Sequence, residues 1–91
     1  MPYIESEERA KYEKLIQDCI DLFADLPTDK IDGHLNYFIM RLLSGLYRPS
    51  YFNYNRVQGL LECVKQEFYR RRVAPYENEK MQLHGDVFRE T

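Results

Sequence analysis

Between His34 and Tyr47 the chain is apolar around most of a helix. Leu35, Phe38, Ile39, Leu42, Leu43 and Leu46 recur at three- and four-residue steps, and Tyr37, Met40 and Tyr47 broaden the stripe. Asn36, Arg41 and Ser44 are left for a polar edge. A helix of this kind has to be covered on more than one side. In a chain of 91 residues, part of that cover is expected from another subunit, because domains near this size have thin stability margins and often add oligomer contacts.

The flanking segments carry the same period. A first helix is predicted over about 6–25, with Tyr12, Leu15, Ile16, Cys19, Ile20, Phe23 and Leu26 on its inner face, Ser6 as its cap, and Glu7 and Glu8 in the turn where the helix dipole favours acids. Pro27 stops it, and Thr28 to Gly33 has turn chemistry, so the second helix is predicted over 34–47. Asn53 can cap a third helix over 54–73, lined by Val57, Leu60, Leu61, Val64 and Phe68. Pro75 suits the first turn of a short fourth helix, 75–83, which Gly85 ends ahead of an extended tail. The expected fold is all-α: one domain over 1–91, a compact bundle of three main helices with a short C-terminal helix and tail, self-associating. Three aromatic residues in the link to the third helix, Tyr51, Phe52 and Tyr54, are expected to pack on something.

Composition fits a globular protein, at 44% hydrophobic, 31% charged and 14% aromatic. No apolar run approaches the ~18 residues of a membrane span, and the acidic opening Glu5, Glu7, Glu8 has no apolar segment of a secretory signal. No membrane partner is expected, and the expected location is the cytoplasm. Cys19 and Cys63 stand apart, outside any C-x-x-C or zinc-ligand spacing, and both fall on predicted helix stripes, where buried, inert thiols are expected.

Charge is informative once it is divided. Residues 1–34 hold nine acids against four bases, a balance of −5; residues 35–75 hold seven bases against Glu62 and Glu67, a balance of +5; residues 76–91 return to −2. Six of the seven central bases are arginine, the side chain suited to forked contact with carboxylate or phosphate. Two explanations stand: the acidic first helix pairs with the basic third, within the chain or in a partner copy, or the basic block holds an anionic ligand. The arginines near the end of the third helix also have a local explanation, since the helix dipole favours cations at a C-terminus.

Catalytic chemistry finds no support. Phosphate loops, G-x-S-x-G and H-E-x-x-H are absent, and His34 and His84, each near an aspartate, match no helical metal-ligand spacing. No enzyme, metal or cofactor is expected. What remains is an aromatic–arginine set. Tyr54 and Arg56 open the third helix, and Tyr69, Arg70, Arg71 and Tyr76 lie at and beyond its end. Tyrosine stacks on bases and arginine holds phosphate, but both residues are also enriched at protein hot spots. These six are the candidate ligand-binding residues. The helix from Tyr54 to Arg72 would be about 28 Å long, so a site using both ends needs a partner subunit or another segment folded over. Duplex DNA is disfavoured by the net charge of −2.

The run Asn55 to Glu77, with Arg56-Val57-Gln58-Gly59-Leu60-Leu61-Glu62-Cys63 and Glu67-Phe68-Tyr69-Arg70-Arg71-Arg72-Val73-Ala74-Pro75-Tyr76 at its heart, resembles the central signature of a family of small uncharacterised proteins of bacteriophages, prophages and their hosts. Met1-Pro2-Tyr3-Ile4, Leu35-Asn36-Tyr37 and Gly85-Asp86-Val87 are similar to the same family, while residues 22–34 and 44–53 match nothing specific in it. The family has no assigned activity, so the resemblance transfers no functional residue. It implies a mobile-element setting in a bacterial host cytoplasm, where small proteins bind host factors or sequester signals. The functional expectation is a non-enzymatic binding protein for a nucleotide-type ligand, with a protein–protein adaptor or inhibitor of a host factor as the alternative.

Overall fold

A computed structural model describes residues 2–88, and every regular element in that range is helical: α1 (Ser6–Ala24), α2 (Thr28–Leu46), α3 (Tyr51–Phe68), a π-helical turn (Tyr69–Val73) and α4 (Ala74–His84). The all-α expectation is met. The chain divides into two compact units, Met1–Val57 and Gln58–Thr91, with α3 running from one into the other.

In the first unit, α1 opens with Glu7 and Glu8 in its first turn, as expected, but Glu5 rather than Ser6 holds the cap position. Ser6 is already helical, and its hydroxyl donates to Glu7 Oε2 at 3.2 Å. Lys11 pairs with Glu8 and Lys14 with Asp18 along the solvent face. The Glu8 carboxylate, and Tyr12 after it, hold the Lys11 ammonium above the ordinary lysine range. α2 begins six residues earlier than its stripe predicts, and the expected loop shrinks to Asp25, Leu26 and Pro27. Pro27 cannot extend α1, yet its own conformation suits a cap, and its carbonyl accepts the Lys30 amide at 2.8 Å. Asp29 in the first turn then complements the dipole, and Ile31, half-buried, extends the Leu35–Phe38 stripe by one turn.

Gly33 consequently lies inside a helix, with open space where a Cβ would stand. Gly33→Ala is expected to stabilise the fold by about 0.5–1 kcal/mol by removing backbone freedom from the unfolded chain. Urea unfolding checks this, and a loss of stability would mean that the position needs to be bare.

α3 also starts early, at Tyr51. Ser50, not Asn53, caps it: the Asn53 amide donates to Ser50 Oγ at 3.0 Å, while the Asn53 side chain donates to the Arg48 carbonyl at 3.0 Å. One serine thus satisfies an amide that the helix leaves without a partner.

No side chain among the described residues is buried. Cover within the first unit is partial at two places: the α2–α3 corner, where Leu43, Tyr47, Asn53 and Val57 are half-buried, and the α1–α2 junction, where Cys19, Phe23, Leu26 and Ile31 are half-buried and Phe23 meets Phe38 edge to face, centroids 5.7 Å apart. Along the α2 stripe cover alternates: Leu43 and Tyr47 are half-buried, while Leu42 and Leu46 beside them are 52% and 70% exposed. The cysteine expectation is corrected by the same feature. Both thiols are free, Cys19 half-buried and Cys63 exposed, because the faces that carry them are not closed over by this chain.

In the second unit the expected break at Pro75 does not occur. Val73 and Ala74 keep right-handed helical angles, and the Ala74 amide reaches back five residues to the Tyr69 carbonyl. Pro75 supplies no amide, and in an α-helix its ring would strike the Arg71 carbonyl four residues back; a wider π turn ahead of it relieves that collision. α4 ends at Gly85, whose φ of 91° only glycine adopts readily. Residues 85–88 are non-helical, as expected, and 89–91 of the expected tail lie outside the described residues.

Candidate functional site

Two clusters hold the six candidate residues, one in each unit. Tyr54 and Arg56 belong to the first, at the corner where α2 passes into α3. Arg56 lies over the Tyr47 ring at 5.3 Å and the Phe52 ring at 5.8 Å, and donates to Asn53 Oδ1 at 3.3 Å. Two cation–π contacts and a hydrogen bond make Arg56 a brace of the corner. Tyr47, which sequence reading placed on the α2 stripe, is the partner it missed; the signal was the nine-residue spacing to Arg56 across a short proline-containing link. The expectation that the link aromatics pack holds for Phe52 on one face only. Tyr51 stays 85% exposed and Phe52 71%. Arg56→Ala is expected to cost about 1 kcal/mol, read from thermal unfolding; no loss would remove the brace.

The second cluster surrounds the π turn. Arg70 donates through Nε to Glu67 Oε1 at 3.0 Å and forms an ion pair with the same carboxylate, so it is already engaged. Arg71 and Arg72, in contrast, make no hydrogen bond, ion pair or ring contact among the described residues. Tyr69 and Tyr76 are each more than half exposed. Lys80 stands over the Tyr76 ring at 5.4 Å, so one cation already lies against that exposed ring. Because the helix continues to His84, Arg70, Arg71 and Arg72 are not at a helix C-terminus, and the dipole explanation for them falls away.

Beside this surface the chain reverses at Gly85, and residues up to Phe88 line an open groove of about 520 Å³ together with Tyr69, Met81 and His84. The Phe88 amide donates to Asp86 Oδ1 at 3.0 Å. Gly85→Ala is expected to strain this turn by about 1–3 kcal/mol and free the tail, which amide exchange at Val87 and Phe88 reports. Unchanged protection would show that the tail does not depend on the turn. His34 lies inside α2 and His84 closes α4, both exposed, and no three His, Cys, Asp or Glu side chains gather among the described residues. None of the described helices is long and apolar enough to cross a membrane.

Fold and surface together define a small all-α chain with an exposed arginine–tyrosine helix face and no buried centre among the described residues. Residues 1–87 match the family described as Domain of unknown function (DUF6899), and the chain belongs to that family. No curated protein and no solved structure matches it.

Proposed function

We propose that this chain is a non-enzymatic binding protein that holds a phosphate-bearing, nucleotide-type ligand on the π-turn surface, with Arg71 and Arg72 on the phosphate and Tyr69 or Tyr76 stacked on the base. The observation that carries the reading is that Arg71 and Arg72 have no partner among the described residues while two exposed tyrosines flank them. An arginine kept for the fold is normally paired, as Arg70 is with Glu67. Exposed guanidinium groups beside aromatic rings are what phosphate and base recognition uses. The resemblance of the run Asn55 to Glu77 to small phage and prophage proteins supports a setting in a bacterial cytoplasm, where such a site would sequester a signal. Arg56 then serves the corner rather than the ligand.

Titration with a panel of a nucleoside triphosphate, a cyclic dinucleotide and a short oligothymidylate tests it. One member is expected to bind, with affinity falling about 10–100-fold for each of Arg71→Ala and Arg72→Ala, the size of a lost charge-assisted contact, and stability changing by no more than about 0.5 kcal/mol. Absence of binding across the panel, or binding indifferent to both arginines, would overturn the reading.

A second reading, an adaptor or inhibitor of a host protein, is favoured by Tyr51 and Phe52, whose exposure at the α2–α3 corner suits interface anchors. Capture of one dominant host protein, lost in Tyr51→Ala, would support it.

A further inference from the structure

The first unit has an apolar seam that α1 and α2 close at one end only. Near the junction Phe23 and Ile31 are half-buried; away from it, Ile16 and Ile20 on α1 and Leu42 and Leu46 on α2 are all more than half exposed. Both stripes keep their period beyond the junction; there Leu43 and Tyr47 are half-buried, Tyr47 under Arg56, while Leu42 and Leu46 beside them stay uncovered. We infer that a second copy of this chain occupies that uncovered seam, and that the assembly is held in register by the acidic residues 1–34 of one copy against the basic residues 35–57 of the other.

Two observations select a second copy over another partner. Charge is the first. Residues 1–34 carry −5 and residues 35–57, in the same unit, carry +3 from Arg41, Arg48 and Arg56, opposite within one chain, which lets a symmetric pair satisfy both blocks twice. A two-fold contact requires such self-complementarity, whereas a foreign partner would have to match both signs separately. Area is the second. Large apolar side chains present on the order of 150–200 Å² each. The exposed fractions along α1 and α2 then leave on the order of 1,000 Å² uncovered, compared with about 800 Å² per partner in a standard stable interface.

The full chain tests this in sedimentation equilibrium over a wide concentration range, with Leu46→Glu and Leu83→Glu beside the wild type. Leu46 and Leu83 are similarly exposed, at 70% and 67%, but only Leu46 lies on the seam. The wild type is expected to self-associate, Leu46→Glu to weaken association at least about 100-fold, as loss of an anchor does, and Leu83→Glu to leave it unchanged. Added salt is expected to weaken association, since the charge register is screened. A wild-type monomer at every concentration, with full helical content, overturns the inference, as does association that Leu46→Glu leaves intact. Association that salt strengthens overturns the charge register. If Leu46→Glu fails to fold, the wild-type concentration series and its salt dependence still decide.

Discussion

Pro75→Ala is expected to stabilise the protein by about 2 kcal/mol while abolishing the binding surface proposed for it. A proline inside a helix costs about 3 kcal/mol relative to alanine, and the π turn ahead of Pro75 recovers only part of that cost. With alanine, the amide returns, the collision with the Arg71 carbonyl disappears, and five residues, Tyr69–Val73, can close into α geometry. Rewinding the same residues from the wider turn into an α-helix rotates α4 by about 100° relative to α3, the angle of one residue of an α-helix. Tyr76 and Lys80 would then turn relative to Tyr69 and the π-turn arginines, and the spacing that the wide turn gives the proposed ligand would be lost. Guanidinium unfolding reads the stability, and the nucleotide panel reads the loss of binding. Unchanged stability would mean that Pro75 does not cause the wide turn. A π turn kept at the expense of stability is a common mark of a functional surface.

Phe23→Ala is expected to cost about 2–3 kcal/mol. Phe23 is one of the few half-buried side chains, and its edge-to-face contact with Phe38, with the rings 85° apart, ties α1 to α2. Full core burial of a phenylalanine is worth about 3–5 kcal/mol against alanine; partial cover lowers this, and the ring pair restores about 0.5–1.5 kcal/mol. For a domain of this length the melting temperature should fall by roughly 10–20 °C. A double-mutant cycle with Phe38→Ala isolates the ring–ring coupling. Coupling near zero would mean that the two helices are joined only by their link. Native domains hold only about 5–15 kcal/mol in total, so the seam near the junction carries a large share of what one copy can supply.

The helices were legible because their apolar period is unbroken, and their starts were misplaced where a residue has two uses. Thr28 and Asp29 are turn formers that serve equally in a first helical turn, and Ile31, four residues before Leu35, was the sign that α2 had already begun. Ser50 and Asn53 are both good caps, and the Asn53 amide on Ser50 Oγ shows that the earlier one is used. Pro75 reads as a helix start, and only the π turn shows the helix passing through it. At the candidate surface, the three-residue spacing of Glu67 and Arg70 already marks an ion pair on a helix. The difference between Arg70 and its neighbours Arg71 and Arg72 depends on the turn's register, which composition does not reveal. Cys63 and Leu46 illustrate the remaining gap: a stripe identifies what must be covered, not whether its own chain covers it.

Native mass spectrometry of protein purified gently from cells tests the central claim most directly, because one spectrum reports both subunit count and any retained small molecule. The expected result is an oligomer carrying a discrete phosphate-bearing mass that is released on denaturation and missing from the Arg71→Ala, Arg72→Ala double variant. A bare monomer would contradict the assembly, and an oligomer whose mass is that of its polypeptides alone, unresponsive to the nucleotide panel, would contradict the ligand.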